Sequence, residues 1–434
     1  MSTASPHAGL SKPTHTRYWV IFCAATLSVI TYIDRVSISQ AAPLITEDLG
    51  LTTVQMGLAF SAFGLGYFLF QVPGGWMSDW IGPRRVLASI VVWWSLFTAA
   101  TGWAFSQATL VGARFLFGVG QGGVFPVLTK TFTTWLPQPE RARAQGIMWL
   151  SARWGGAFSP LLVFSLLPYV SWRRAFEIFG GIGIIWTAFF WRWYRDNPRD
   201  HKGPNEAELA LLEGAEETAS GHGNVPWGRF FRSGTVWLLW LQYFCMAYGW
   251  YFYITWLPTY IQEAHGQTME QSAFLAGMPL FFGGLGSLVC GYLLTYLDRK
   301  MGGSRRSRRF MGVLGCAGAG ALLIVSVYLS EPVWAMVAMG LASFSNDLAM
   351  PPSWAACMDV GGKYAGSLSG SMNMAGNIAG FVSPTMVAYI LRWTGGNWVI
   401  TFYVSAAIYF VGAVCWLFID PVTPLDRTEA AGTP

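Results

Sequence analysis

Charge is scarce in this chain. Only 11% of its 434 residues are Asp, Glu, Lys or Arg, where a soluble domain carries about 25%. That scarcity argues against a water-soluble enzyme. Cysteine is sparse as well. Cys23, Cys245, Cys290, Cys316, Cys357 and Cys415 stand singly in apolar surroundings without C-x-x-C spacing, so neither a disulfide framework nor a zinc site is expected. The five histidines fall in polar or terminal stretches with no Ser-His-Asp pattern and no metal-ligand spacing, so no enzyme activity, cofactor or metal is expected. The first 16 residues are polar and run straight into an apolar segment too long for a signal-peptide core. That segment is expected to remain as an anchor.

Apolar sequence is abundant: 53% of residues are hydrophobic, with 50 glycines and 23 tryptophans. About 20 apolar residues in helical form cross a bilayer. In lipid the backbone must satisfy itself, which leaves helices or closed barrels. The runs here lack strict alternation, so they read as helices. Twelve spans are expected, near 18–40, 54–79, 86–105, 108–135, 144–168, 174–194, 235–261, 271–297, 310–329, 332–358, 365–392 and 398–419. The fold class is an all-α membrane protein.

Lysine and arginine concentrate on one side of this arrangement. The opposite loops hold only Arg173, Arg174 and Arg392. Both termini are therefore expected in the cytoplasm. The net charge of +5 is a topology signal, and no nucleic-acid partner is expected. A polar stretch divides the spans six and six. The expected organisation is a tail at 1–17, a bundle at 18–195, a linker at 196–233, a second bundle at 234–420 and a tail at 421–434. Within the linker, Asn205-Glu206-Ala207-Glu208 has capping-box spacing and predicts a short surface helix. Pro226-Trp227 with Arg229 and Arg232 reads as an interfacial lead-in to the seventh span.

The two halves repeat. Phe158-Ser159-Pro160 recurs 224 residues later as Val382-Ser383-Pro384, and the same offset carries Gly146 to Gly370 and Gly156 to Gly380. Pro126 falls near Pro351, and Asp79 near Asp298. Parallel six-helix repeats place a substrate site at their interface, near mid-membrane.

Four charged residues lie well inside spans: Asp34, Arg35, Arg114 and Arg153. Each costs about 2.5–3.5 kcal/mol at a helix centre on insertion scales, so they are expected to line a cavity. With a rise of about 1.5 Å per residue, Arg35 and Arg114 fall at similar depth. They are expected to grip one anionic group, for which guanidinium is suited. Three arginines against one nearby acid leave positive charge for a bound anion to match. Asp34 is either a fixed partner or a proton carrier.

Between spans two and three stands Gly75-Trp76-Met77-Ser78-Asp79-Trp80-Ile81-Gly82-Pro83-Arg84-Arg85. It resembles the major facilitator superfamily loop signature, G-x-x-x-D-x-x-G-x-[RK]-[RK], with Trp80 where the family often has arginine. Gly75, Asp79, Gly82, Arg84 and Arg85 would form the conformational gate. Around Gly291 and Asp298-Arg299 the second copy is degenerate. Tyr32-Ile33-Asp34-Arg35, Arg114 with Gly118, Phe125-Pro126, Gln242, Ser353-Trp354, Asn373 and Asn377 together resemble the anion:cation symporter branch of that superfamily, across all twelve spans.

The resemblance implies two pseudo-symmetric six-helix bundles and a secondary active carrier of a sugar acid or related carboxylate, with protons as the coupling partner. It implies a bacterial inner-membrane location and a monomer. Arg35 and Arg114 would hold the carboxylate. Tyr32, Gln242, Ser353, Trp354 and Asn373 would hold the rest, and Asp34 would be the outer protonation site. Two residues depart from the branch. Gln121 stands where proton-coupled sugar-acid carriers have glutamate, and it cannot titrate. Arg153 stands where a neutral polar residue is expected. Both changes make the cavity more positive, which also suits a diacid. An exchanger of organic phosphates or dicarboxylates is the rival reading. A channel or membrane sensor fits less well, because a channel wants a continuous lining.

Overall fold

The computed structural model describes residues 12–212 and 225–425. The rest of both expected tails, including Arg427, and residues 213–224 of the linker lie outside the described residues. Twelve helical segments follow in order: α1 (Arg17–Leu49), α2 (Thr53–Ile81), α3 (Pro83–Gly102), α4 (Gln107–Gly122 and Val124–Trp135), α5 (Gln138–Leu166), α6 (Trp172–Trp193), α7 (Gly234–Thr255 and Leu257–His265), α8 (Met269–Met301), α9 (Ser304–Val327), α10 (Pro332–Leu348 and Met350–Gly361), α11 (Ala365–Thr394) and α12 (Trp398–Phe418). Among the described residues, eight helical stretches are long and apolar enough to cross a membrane, and one of these, Pro332–Thr394, spans both α10 and α11.

Several helices outrun their expected spans. α1 continues to Leu49 because Ile38, Ala41 and Ile45 bury against Met56, Leu110 and Phe176. α5 starts at Gln138, where Gln138 and Arg141 bond to Asp359. α9 starts at Ser304, and its Arg308 and Arg309 bond to the carbonyls of Pro421 and Ile419. Hydropathy marks the part of a helix that lipid covers. Polar turns beyond it are held by partners that hydropathy does not see.

Prolines set the helix breaks. Proline cannot donate to the carbonyl four residues back. Pro126 frees Gly122, where α4 breaks, and Pro351 and Pro352 free Asp347 and Leu348, where α10 breaks. The Leu348 carbonyl takes a bond from the Cys290 thiol instead, at 2.8 Å. These breaks occur at repeat-related positions, so the internal symmetry of the sequence survives as symmetry of shape.

The first six helices pack on one another, as do the last six, and the two bundles meet through α2 with α11 and α5 with α8. Small residues allow these crossings. The repeat mates Gly146 and Gly370 both sit there, Gly146 against Ser287 and Gly291, Gly370 against Gln71 and Val72. Both described chain ends and the linker lie on one face, termed here the linker face. The predicted linker helix is present as Glu206–Leu211, capped by Asn205, which accepts from the Glu208 N–H at 2.9 Å. The Glu208 carboxylate is not a box partner and is not solvated. It is fully buried and accepts from the Arg17 side chain at 3.0 Å, the Arg17 N–H at 3.0 Å and the Thr16 N–H at 3.2 Å. The linker helix thus pins the start of α1.

Candidate functional site

The gate motif separates into two jobs. Asp79 reaches the other half. It accepts from the N–H groups of Gly366 at 3.1 Å and Ser367 at 2.6 Å, and from the Ser367 hydroxyl at 2.7 Å. Those donors are the first turn of α11, where the helix dipole favours an anion. Lys130 approaches the same carboxylate at 3.5 Å. A Cβ on Gly75 would run into the Gly366 carbonyl, so glycine permits the crossing. The remaining residues of the motif stay within their own half. Gly82 turns the chain with φ +89°. The Arg84 N–H donates to Asp196 at 2.8 Å, and its guanidinium lies 4.3 Å from the Trp191 ring. Arg85 is exposed.

A second lock lies beside the first. Asp359 at the end of α10 accepts from Arg141 of α5 at 2.6 Å and from Gln138 at 2.7 Å, and pairs with Arg308 of α9 at 2.7 Å. The Lys130 ammonium donates to the Lys363 carbonyl at 2.6 Å. Together these contacts close the bundles on the linker face.

Above this closure is a cavity of about 80 Å³, lined by residues of both halves. Tyr32, Arg35, Arg153, Asn373 and Asn377 line it, as the sequence leads one to expect. Tyr67, Trp149, Tyr243, Trp250 and Tyr251 complete a largely aromatic wall. Repeat symmetry offers a signal for one of them. Tyr32 of α1 rests on Gly156 of α5, and Tyr251 of α7 rests on Gly380 of α11. The 224-residue offset of those glycines therefore marks both tyrosines.

Arg35 is the cation most open to the cavity. Its guanidinium lies 4.6 Å from the Tyr67 ring and 5.0 Å from Tyr32. Its Nε and Nη2 both donate to Gln121 Oε1 at 3.3 Å, while Gln121 Nε2 donates to the Thr31 carbonyl at 3.1 Å. Gln121 itself is fully buried behind Arg35. An amide here holds the guanidinium and leaves its charge uncompensated. A glutamate would neutralise it.

Arg114 does not form the other half of a clamp in this structure. It is buried outside the cavity lining, stacked 4.2 Å from Phe117 and 5.4 Å from Phe63. Phe63 also faces Arg35 at 5.2 Å, so one ring is shared by both cations. Equal depth on two helices does not set how each is rotated. Asp34 is likewise turned away from the cavity, fully buried, with Arg114 and Trp94 as its electrostatic neighbours. Neither of its oxygens makes a hydrogen bond with a described residue.

Arg153 departs further from expectation. It lines the cavity, yet its Nε and Nη2 donate to the two carboxylate oxygens of Asp347 on α10 at 2.9 and 3.2 Å. The expected three arginines against one acid therefore become three against two, with Asp347 as the second acid. Gln242, Ser353 and Trp354 stand one layer back. The Ser353 hydroxyl donates to Gln242 at 3.2 Å, and Trp354 Nε1 donates to the Tyr243 hydroxyl at 3.2 Å, fixing a cavity wall. Asn373 donates to Tyr67 at 3.3 Å, and Tyr251 donates to Asn377 at 2.6 Å. These bonds orient the wall across both halves.

Two helical bundles closed around a charged mid-membrane cavity make a carrier rather than an enzyme. The chain belongs to the Major Facilitator Superfamily, whose family model matches residues 24–384. It is 36% identical to a probable sulfoacetate transporter of Cupriavidus necator, over 95% of this chain and 96% of that one. It is 29% identical to a D-galactonate transporter of Escherichia coli O6:H1, over 94% and 96%. With a hexuronate transporter of Bacillus subtilis it shares 30% identity, over 87% and 88%. Among solved structures, the proton:xylose symporter XylE superposes with a TM-score of 0.72 at 14% identity, covering 95% of this chain and 98% of that one.

Proposed function

We propose that this protein is a secondary active carrier for a small organic anion bearing a carboxylate or sulfonate, working by alternating access. The lysine and arginine asymmetry supports cytoplasmic chain ends, and the bacterial relatives support a bacterial inner membrane. The observation that carries the reading is Arg35, a guanidinium held toward the cavity by a neutral amide and two tyrosine rings. An anion there gains a charge-assisted, bidentate partner. Tyr32, Asn373 and Asn377 supply polar contacts to the rest of the molecule, and Gln242, Ser353 and Trp354 keep the wall in place. The anion-transporting relatives support the substrate class, and the sulfoacetate carrier's name makes a small sulfonate as eligible as a sugar acid.

Proton coupling is part of the proposal. Asp34 is a buried acid next to Arg114, and Arg114 in turn feels Arg35. A bound anion that draws on Arg35 changes the field at Arg114 and so at Asp34. Arg114 thus acts as the link between anion and proton. The test is anion binding by purified protein, followed by thermal shift against sulfoacetate, galactonate, glucarate and a sugar phosphate. The Arg35→Ala variant is expected to lose all anion-dependent stabilisation with normal expression. Retained stabilisation sinks the anion site.

A further inference from the structure

Arg153 is surplus to a site that binds one acidic group. It lines the cavity on α5, and its ion-pair partner and nearest ring come from the other half. Asp347 of α10 takes two of its N–H groups, and the Trp250 ring of α7 lies 3.3 Å from its guanidinium carbon. Tyr32 is an electrostatic neighbour of both Arg153 and Arg35. Two arginines of one half therefore face the same cavity. One keeps its charge, and the other has it masked by a carboxylate from across the interface.

We propose that Arg153 is a second, masked anion-binding residue, and that Asp347 is the built-in counter-ion displaced by the second acidic group of a dianionic substrate as Asp347 takes up a proton. This rests on the reading of Arg35 as the primary anion site. Shape supports it, because Asp347 is fully buried while its neighbour Asn346 lines the cavity, so Arg153 is approached from the cavity and Asp347 from behind. Chemistry requires the proton. A carboxylate left buried without its arginine is strongly disfavoured, and a proton taken up from bulk solution by way of the cavity removes that charge.

The surroundings of Asp347 suit both states. Ser287 of α8 donates to it at 3.4 Å and Asn346 at 2.8 Å. Ser343 lies one turn before it on the same helix and, like Asp347, borders Gly283 of α8. Tyr253 of α7 and Tyr409 of α12 are its electrostatic neighbours, and their hydroxyls make no hydrogen bond with described residues. Those hydroxyls are available to accept from a protonated carboxyl. The ninth helix brings Gly315 and Gly318 against Ser345 rather than a charge. Arg153 is therefore the one cation set against Asp347 by the elements packed around it among the described residues. Displacing the pair also releases a link between the halves at cavity level. The second charge of the substrate thus loosens one contact that joins the bundles.

The test compares sulfoacetate with isethionate, a monoanion of similar size, by binding to purified protein between about pH 6 and 8, where sulfoacetate is a dianion throughout. In the wild type, the preference for sulfoacetate is expected to grow as pH falls, because Asp347 must be protonated. Asp347→Asn unmasks Arg153 at every pH. Its preference is expected to be about tenfold above wild type at pH 8, the worth of one charge-assisted hydrogen bond, and flat with pH. Arg153→Gln/Asp347→Asn removes both charges together and guards against misfolding from one unpaired ion. It is expected to bind both anions equally through Arg35. A wild-type preference and slope in Asp347→Asn, or a kept preference in the double variant, overturns the proposal. If isethionate and sulfoacetate bind alike and Arg35→Ala loses both, only this inference fails. If neither binds the wild type, the Arg35 reading fails with it.

Discussion

Replacing Gln121 by glutamate puts a carboxylate where the amide now meets Arg35. The amide oxygen lies 3.3 Å from both Nε and Nη2. Two unit charges at that distance interact by about 5 kcal/mol at an effective dielectric constant of about 20. Water in the cavity weakens this, yet a third of it, about 1.7 kcal/mol, already exceeds tenfold in binding. The ionised glutamate competes with the substrate for Arg35, and the protonated one does not. Gln121→Glu is therefore expected to weaken anion binding more than tenfold at pH 8 and to recover it on acidification. Calorimetric titration across pH 5.5–8 reads this directly, with Gln121→Met as a neutral control that lacks the acceptor. Wild-type affinity for Gln121→Glu across the whole range would refute the claim that an uncompensated Arg35 binds the anion.

Asp34→Asn is expected to abolish pH-driven uptake in vesicles and to spare counterflow exchange; unchanged pH-driven uptake excludes Asp34 as a proton carrier. Asp79→Asn removes the charge that faces Lys130 and the α11 N-terminus. It is expected to open the linker face, raising the rate at which a thiol reagent modifies buried Cys357 in a variant whose other five cysteines are alanine; an unchanged rate denies Asp79 a gating role. Burial raises the pKa of Glu208, but bonds from Thr14, Arg17 and Thr16 outweigh it and hold the carboxyl below its ordinary value. Its contribution is therefore present above the unfolded value of about 4.3 and is lost as pH falls through the lower folded value. Glu208→Gln is expected to cost about 1–3 kcal/mol at neutral pH and to remove that part of the acid sensitivity of thermal melting, and an unchanged melting profile shows that the contact is idle.

The sequence by itself determined the class of protein. Apolar runs of bilayer length without strict alternation read as helices, and Pro126 and Pro351 mark corresponding positions in the two halves. The loop signature that Gly75 and Asp79 share with the superfamily implied a gate, and the structure seats both against the first turn of α11. Arg35 and Arg153 were legible as cavity residues because charges deep in lipid need water or a partner, while Tyr32, Asn373 and Asn377 were expected there only from the resemblance. What tertiary structure alone decided is rotation and pairing. Asp34 and Arg35 are neighbours about 100° apart on one helix, and only packing turns Arg35 to the cavity and Asp34 toward Trp94. Arg114 matches Arg35 in depth, yet the Phe63 and Phe117 rings keep it out of the cavity lining. Arg153 and Asp347 are separated by 194 residues. No periodicity along one helix reports which acid on another will meet it, because that depends on how two whole bundles dock.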